Sequence, residues 1–392
     1  MIDVEMNGGL VIGIDIQEHI SLVAYYDENE AKTVSVIFPN GKNYKENPIS
    51  IKHWCMATDD EHIGQMEDIV RFFGNLIEHV KEQTGRLKIA TVCVCVESFS
   101  VELLQFLEIL FDKLGIDSFH RSFISREEAF AFYVYNQRKD LYMSCVMLLD
   151  YNYKGIDCYL MSNGKIKNQE VIKENRYHFY NHKITNVLND ILKLEDVTDD
   201  IIDWLKDITK NYVISSIFVT GQGFDVKEFP SSFTDFLCRK RKVFAGQNIY
   251  VKGACYCGYE SLYAGRLSHM ILACGNRITT GIELDILERG KQKRLRVIKP
   301  GINWYAAQRS YDFIVEDLTS LTFHLRPCDG SNDYLKTMDI SEIPYRKGKM
   351  TKINMQISFS SENLCHVKIT DKGFGGIVKS SGKVVYGQLD IM

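Results

Sequence analysis

The 392-residue chain lacks any apolar run long enough to cross a bilayer. Stretches such as Thr91–Val96 fall far short of the roughly 20 residues that a spanning helix needs. It also lacks an excess of one charge. Forty-seven Lys and Arg stand against 51 Asp and Glu, a net charge of −4, so no global field draws the chain to nucleic acid or anionic lipid. The one basic cluster, Arg239–Lys242, reads as a solvated helix end. No basic stretch followed by an apolar one opens the sequence. A cytoplasmic location, with the eleven cysteines reduced, is therefore the expectation. Those cysteines lack the spacing of a zinc knuckle: Cys93 and Cys95 are separated by one residue, as are Cys255 and Cys257. On a strand, Cys93 and Cys95 face one side and read as core. His178 and His182 are spaced to share a helix face, but no carboxylate or cysteine set accompanies them.

What is present is the composition of a globular protein, 45% hydrophobic and 25% charged, in a chain long enough for two or three domains. Segments 9–16, 20–26 and 33–38 read as three strands with turns at Asp27–Asn29 and Asn40–Gly41. Residues 65–84 carry apolar residues at helical spacing, and Ile89–Val96 is a buried strand. Ser100 can cap a helix that stops at Gly115; 117–124 reads as a strand; Ser125, with Glu128 three positions on, forms a capping box for the next helix. The order then recurs. Strands at 144–150, 156–162 and 166–173 precede helices near 180–193 and 198–210, a strand at 214–219 that ends in Thr220–Gly223, and a helix from near Gly253.

A three-strand meander followed by alternating helices and strands, present twice, predicts a two-lobed α/β architecture of ribonuclease-H-like type. From about residue 276 helical periodicity gives way to short alternating segments, such as Gly281–Leu287, Ile353–Phe359 and Cys365–Ile369. These predict a C-terminal β-sandwich. The expected domains are 1–275, with lobes of about 1–140 and 141–275, and 276–392.

Two matched segments sharpen the reading. Leu10–Ile16 and Val146–Asp150 are apolar strands, each with Asp at or near its end (Asp15, Asp150) and each followed by a polar turn and a second strand. With Val96–Ser98 and Ile124–Ala131, the strand end Val219–Gly223, and the small-residue helix Lys252–Gly258, they resemble in order the phosphate, connecting and adenosine motifs of the actin-like ATPases. Within that superfamily the chain is most similar to the seventy-kilodalton heat-shock chaperones. Thr280–Leu284 and Val297–Gly301 resemble the opening of their β-type substrate domain. The resemblance implies a nucleotide cleft formed by Asp15, Gln17, Asp150, Asn152, Lys154, Gly221, Gln222 and Gly223. It implies ATP or ADP with Mg²⁺ as the ligand, with Asp15 and Asp150 holding the metal through water.

The turns depart from that family. Ile16–His19 has no glycine, and Tyr151–Gly155 puts bulky residues where consecutive glycines would wrap phosphates. Glu18 adds repulsion toward a triphosphate, and Arg126 stands at the family's acidic position in the first connecting segment. The sequence therefore points to a degenerate chaperone-like protein acting as a protein-binding or scaffold module without hydrolysis, met by a protein or peptide partner through the cleft or through Trp304 and Tyr305. An active chaperone-type ATPase and an actin-like filament protein are the alternatives.

Overall fold

The computed structural model describes residues 9–58, 63–316 and 319–391. The chain opens with the meander β1 (Leu10–Ile16), β2 (Ile20–Asp27) and β3 (Lys32–Ser35), with β4 (Tyr44–Glu46) also on β2. Then come α1 (Ile63–Thr84), β5 (Ile89–Val96), α2 (Val101–Lys113), β6 (Arg121–Ser125) and α3 (Arg126–Tyr135). The strands order as β3-β2-β1-β5-β6, antiparallel up to β1 and parallel beyond it. Every residue of β1 is buried, which is why its sequence runs apolar rather than alternating. Met66, Ile69, Phe73, Leu76, Ile77 and Val80 form the buried stripe of α1. Both expected caps are formed: Ser100 accepts from the Leu103 amide, and Ser125 and Glu128 cap each other reciprocally.

The plan repeats with β7 (Cys145–Asn152), β8 (Gly155–Ile166), β9 (Gln169–Phe179), α4 (His182–Leu188), α5 (Thr198–Thr209), β10 (Ile214–Thr220), α6 (Ser231–Cys238), β11 (Lys242–Ala245) and α7 (Ile249–Leu262). The sheet order is β11-β10-β7-β8-β9, with β7 antiparallel to β8 and parallel to β10. This is the expected two-lobed α/β fold. Several elements differ in extent, among them the strand expected at 166–173, which is β9 at Gln169–Phe179. The strand expected from 117 starts at Arg121, because Asp117 accepts from the Phe119 and His120 amides and holds a turn. The helix expected to reach 193 ends at Leu188, where Asp190 takes a left-handed φ of 57°. The helix expected from near Gly253 begins at Ile249.

Glycine sets the close approach of α7. A Cβ on Gly13 of β1 would lie 2.5 Å from the Cys255 amide and the Val251 carbonyl, and one on Gly253 would lie 1.8 Å from the Ala129 carbonyl oxygen of α3.

The chain forms two compact units. The first runs through Asn163 and resumes over Glu174–Met270; the second takes Gly164–Lys173 and everything from Ile271. In the second unit, β12 (Ile271–Ala273) pairs in parallel with Val171–Lys173. Beyond it lie β13 (Thr280–Glu288), β14 (Lys291–Ile298), β15 (Arg309–Val315), β16 (Ser320–Pro327), β17 (Tyr334–Asp339), β18 (Thr351–Ser361), β19 (Leu364–Gly373) and β20 (Val384–Asp390). They form two antiparallel sheets, β14-β13-β16-β17 and β15-β18-β19-β20. On β18 the buried residues alternate strictly, Thr351, Ile353, Met355, Ile357 and Phe359, so one face is core. The sheets touch where the Tyr311 hydroxyl meets the Val297 carbonyl and where Gly387 abuts Met338. Among the described residues no helix is long and apolar enough to cross a membrane.

One buried ion pair anchors the sandwich. Asp371 accepts from Arg346 at 2.8 and 2.7 Å and from the Gly373 and Ser381 amides. The Arg346 hydrogen bonds hold its carboxyl well below the usual carboxylate range. Because the folded pKa is depressed, its stabilising contribution is present above the ordinary value of 3.8 and is lost as pH falls further. Asp371→Asn is therefore expected to destabilise the sandwich by about 3 kcal/mol at neutral pH. That cost should shrink as the pH drops below the ordinary carboxylate range, as measured by hydrogen exchange of β18 and β19 amides. A cost that does not vary with pH would contradict the assignment.

Candidate functional site

Parallel pairing of β1 with β5 and of β7 with β10 brings Asp15 and Asp150 to the carboxyl ends of their sheets, beside Cys95 and Thr220. Both carboxylates are nearly sealed from solvent, at 1% and 3% exposure. Arg126, the first residue of α3, is itself buried. Its Nη1 lies 3.4 Å from Asp150 Oδ2, and its charge also acts on Asp15. From α7, the Tyr250 hydroxyl donates to Asp150 Oδ2 at 2.7 Å, and the Arg126 guanidinium lies 5.0 Å from the Tyr250 ring centroid. Gln17 donates to Asp15 Oδ2 at 2.9 Å, and the Cys95 thiol also faces Asp15.

Burial raises the pKa of both aspartates, and Arg126 pulls each back. Burial works against the Arg126 charge too, but Asp150 and then Asp15 outweigh it and hold the guanidinium firmly protonated. A second group of ionic contacts surrounds this one. Asp157, paired across the strands with Asp150, accepts from Arg176 at 3.2 Å and contacts His178 Nδ1 at 3.0 Å. Arg176 also reaches Glu127 Oε1 at 3.2 Å. Lys154 pairs with Glu97.

The glycine turn after β10 is filled from within. Tyr151 is fully buried and donates its hydroxyl to the Ile184 carbonyl at 2.8 Å. A Cβ on Gly223 would fall 2.2 Å from the Tyr151 ring, so this glycine makes room for a side chain of the protein itself. Gly221, at φ +95°, backs onto the Tyr151 carbonyl and Asp150 Oδ1. Its amide donates to Gln247 Oε1 at 3.0 Å, and Gln247 Nε2 donates back to its carbonyl at 3.2 Å.

The remaining candidates are scattered. Asn152 Oδ1 accepts from the Lys154 amide at 2.9 Å, the bond of a turn. Gln222 is exposed. Trp304 is 6% exposed and Tyr305 half-buried, their rings edge to face at 5.7 Å, so Trp304 belongs to the sandwich interior. His178 lies on β9 and His182 opens α4, so the helix face expected to carry both does not exist. Cys93, Cys95, Cys255 and Cys257 are buried in the core. Among the described residues no cluster of three or more metal-ligating side chains occurs.

A Mg²⁺-nucleotide does not fit the residues present. Asp150 Oδ2 already accepts from Arg126 and Tyr250 and Asp15 Oδ2 from Gln17, leaving Asp15 Oδ1 without a hydrogen-bond partner; the turn amide is taken by Gln247, and the turn itself holds Tyr151. Sequence reasoning flagged Arg126 as a departure but missed its target. It missed Tyr250 and Gln247 altogether, since neither carries a local signal.

Residues 50–275 match the family described as "Family of unknown function (DUF5716) C-terminal", and residues 277–391 match a "Domain of unknown function (DUF8552)". No curated protein matches. Similar solved structures include the inorganic polyphosphate/ATP-glucomannokinase from Arthrobacter sp. strain KM, at 12% identity and TM-score 0.42, over 64% of this chain and 99% of that one. The ROK hexokinase from Thermus thermophilus shows 9% identity and TM-score 0.39, over 65% of this chain and 100% of that one. The ethanolamine utilization protein EutJ from Carboxydothermus hydrogenoformans shows 10% and 0.39, over 65% and 91%. At such scores the likeness carries no argument; the fold rests on the strand order of the two sheets.

Proposed function

For this chain, which belongs to the DUF5716 C-terminal family through residues 50–275, we propose a non-hydrolysing binding or scaffold module whose two lobes are joined by the protein's own side chains. The observation that carries the reading is the Arg126–Asp150 pair, with Asp15 within reach of the same charge. A guanidinium cannot deprotonate to make way for a metal ion. Expelling it would leave the buried Asp150 carboxylate without its hydrogen-bonded partner, at a cost of several kcal/mol. What remains is an actin-like body without a vacant phosphate site, joined in sequence to a sandwich. The resemblance to the heat-shock chaperones supports kinship of that arrangement, and it supplies protein or peptide as the partner met without turnover.

The test is a melt of the full chain with and without millimolar Mg·ATP or Mg·ADP, followed by phosphate release. A ligand at one hundred times its dissociation constant adds about 2.7 kcal/mol of stability. The expected result is no stabilisation by either nucleotide and phosphate release at the rate of buffer. A nucleotide-dependent rise in melting temperature would refute the reading and favour an active ATPase.

A further inference from the structure

The outward face of the β15-β18-β19-β20 sheet carries a groove of about 910 Å³ that the cleft chemistry does not involve. Register places one residue from each strand in a single line across it: Ser310, Gln356, Lys368 and Tyr386. The next line holds Ser358, His366 and Gln388. Arg309 lies at the groove's β15 side.

The chemistry of these two lines is one-sided. The two lines hold Lys368 and His366, Arg309 at the margin is bonded to the Gln308 carbonyl, and no carboxylate is among the lining residues. The adjacent Asp312 is held by Lys352 at 2.8 Å and by Asn354, and Asp390 acts on Tyr334. Lys368 Nζ lies 5.8 Å from the Tyr386 ring centroid, and that ring is 73% exposed. The outward side chains of the two lines include no aliphatic group, because Ile357 and Val367 point into the core. A lipid or an apolar peptide segment would find only the Tyr386 ring to bury there.

We propose that this face binds an acidic oligosaccharide. Gln356 and Gln388 each offer a donor and an acceptor, and Ser310 and Ser358 add hydroxyls, the set that vicinal diols require. The open Tyr386 ring offers a flat apolar surface to the C–H face of a pyranose. Lys368 supplies charge-assisted hydrogen bonds to uronate or sulfate groups, with His366 in the next line beside it. The site lies wholly on the sandwich and does not rest on the reading of the cleft.

The experiment titrates the full chain calorimetrically with octagalacturonate, a heparin-derived octasaccharide, neutral cello-octaose and poly-glutamate of matched charge. Either acidic sugar should bind, more weakly at high salt, with little or no heat from cello-octaose or poly-glutamate. Lys368→Glu and Tyr386→Ala should each weaken binding by about tenfold or more. Both side chains stand at the surface, so the melting temperature should not move. Binding of cello-octaose or poly-glutamate as tight as that of the acidic sugars, unaltered affinity in both variants, or no binding of either acidic sugar would each overturn the proposal.

Discussion

Arg126→Ala is expected to destabilise the first unit by about 3–5 kcal/mol at neutral pH, because it leaves buried Asp150 without its cation and Asp15 without a compensating charge. The pH dependence gives the mechanism away. Burial already raises both aspartates above their ordinary value of 3.8, and Arg126 opposes that rise. Removing it lifts them further. A carboxyl whose folded pKa is raised contributes fully below the unfolded pKa, and the contribution is lost as pH rises through the folded value. The cost of Arg126→Ala should therefore be small near pH 4 and grow toward neutrality before levelling. Hydrogen exchange of β1 and β7 amides reads this in the first unit alone. Replacing the pair by Arg126→Met with Asp150→Leu should recover part of the loss, since a matched apolar pair needs no solvation. A cost below about 1 kcal/mol for Arg126→Ala, or the same cost at both pH values, would show that the pair is not what holds the cleft.

Gly253→Ala is expected to be nearly as damaging, at or above the upper end of the about 1–3 kcal/mol typical of overpacking. Its new methyl carbon would sit 1.8 Å from the Ala129 carbonyl oxygen and 2.5 Å from the carbonyl carbon, and both are backbone atoms. α3 and α7 would have to separate. The separation would carry Arg126 and Tyr250 apart as well, since those two residues lie on these two helices. Gly258→Ala is the control. Its methyl would meet Val11 Cγ1 at 3.2 Å, Thr91 Cγ2 at 3.3 Å and Cys93 Cβ at 3.5 Å, all side-chain atoms, the first two of which can give. Denaturant midpoints should fall sharply for Gly253→Ala and slightly for Gly258→Ala. Equal midpoints would mean that the helix crossing is not tight.

Much of this architecture was legible in the sequence because it is encoded locally. The unbroken apolar run of β1, the 3.6-residue stripe of α1 and the Ser125–Glu128 box each need only neighbouring residues to be recognised. The ends of elements were less legible where a side chain bound the backbone, as Asp117 does before β6. The site divided along the same line. Asp15, Asp150 and the glycine turn announced themselves, and the bulk of Tyr151 beside a phosphate position was readable as a conflict. How that conflict is resolved was not readable. It depends on Tyr151 meeting Gly223 and on Tyr250 meeting Asp150, contacts made across 72 and 100 residues of chain. The two histidines misled for the opposite reason: their spacing suits a helix, but β9 extends to Phe179 and takes the first of them.

The glycine turn filled by Tyr151 bears on the direction of change open to this protein. The Arg126 guanidinium on Asp150, the Tyr151 ring against Gly223 and the Gln247 amide on Gly221 are separate occupants of one place. Removing any one leaves the other two and a buried polar or hollow defect besides. Opening this place to a nucleotide by substitution would therefore mean replacing all three together, because each single replacement leaves a less stable protein with the place still filled.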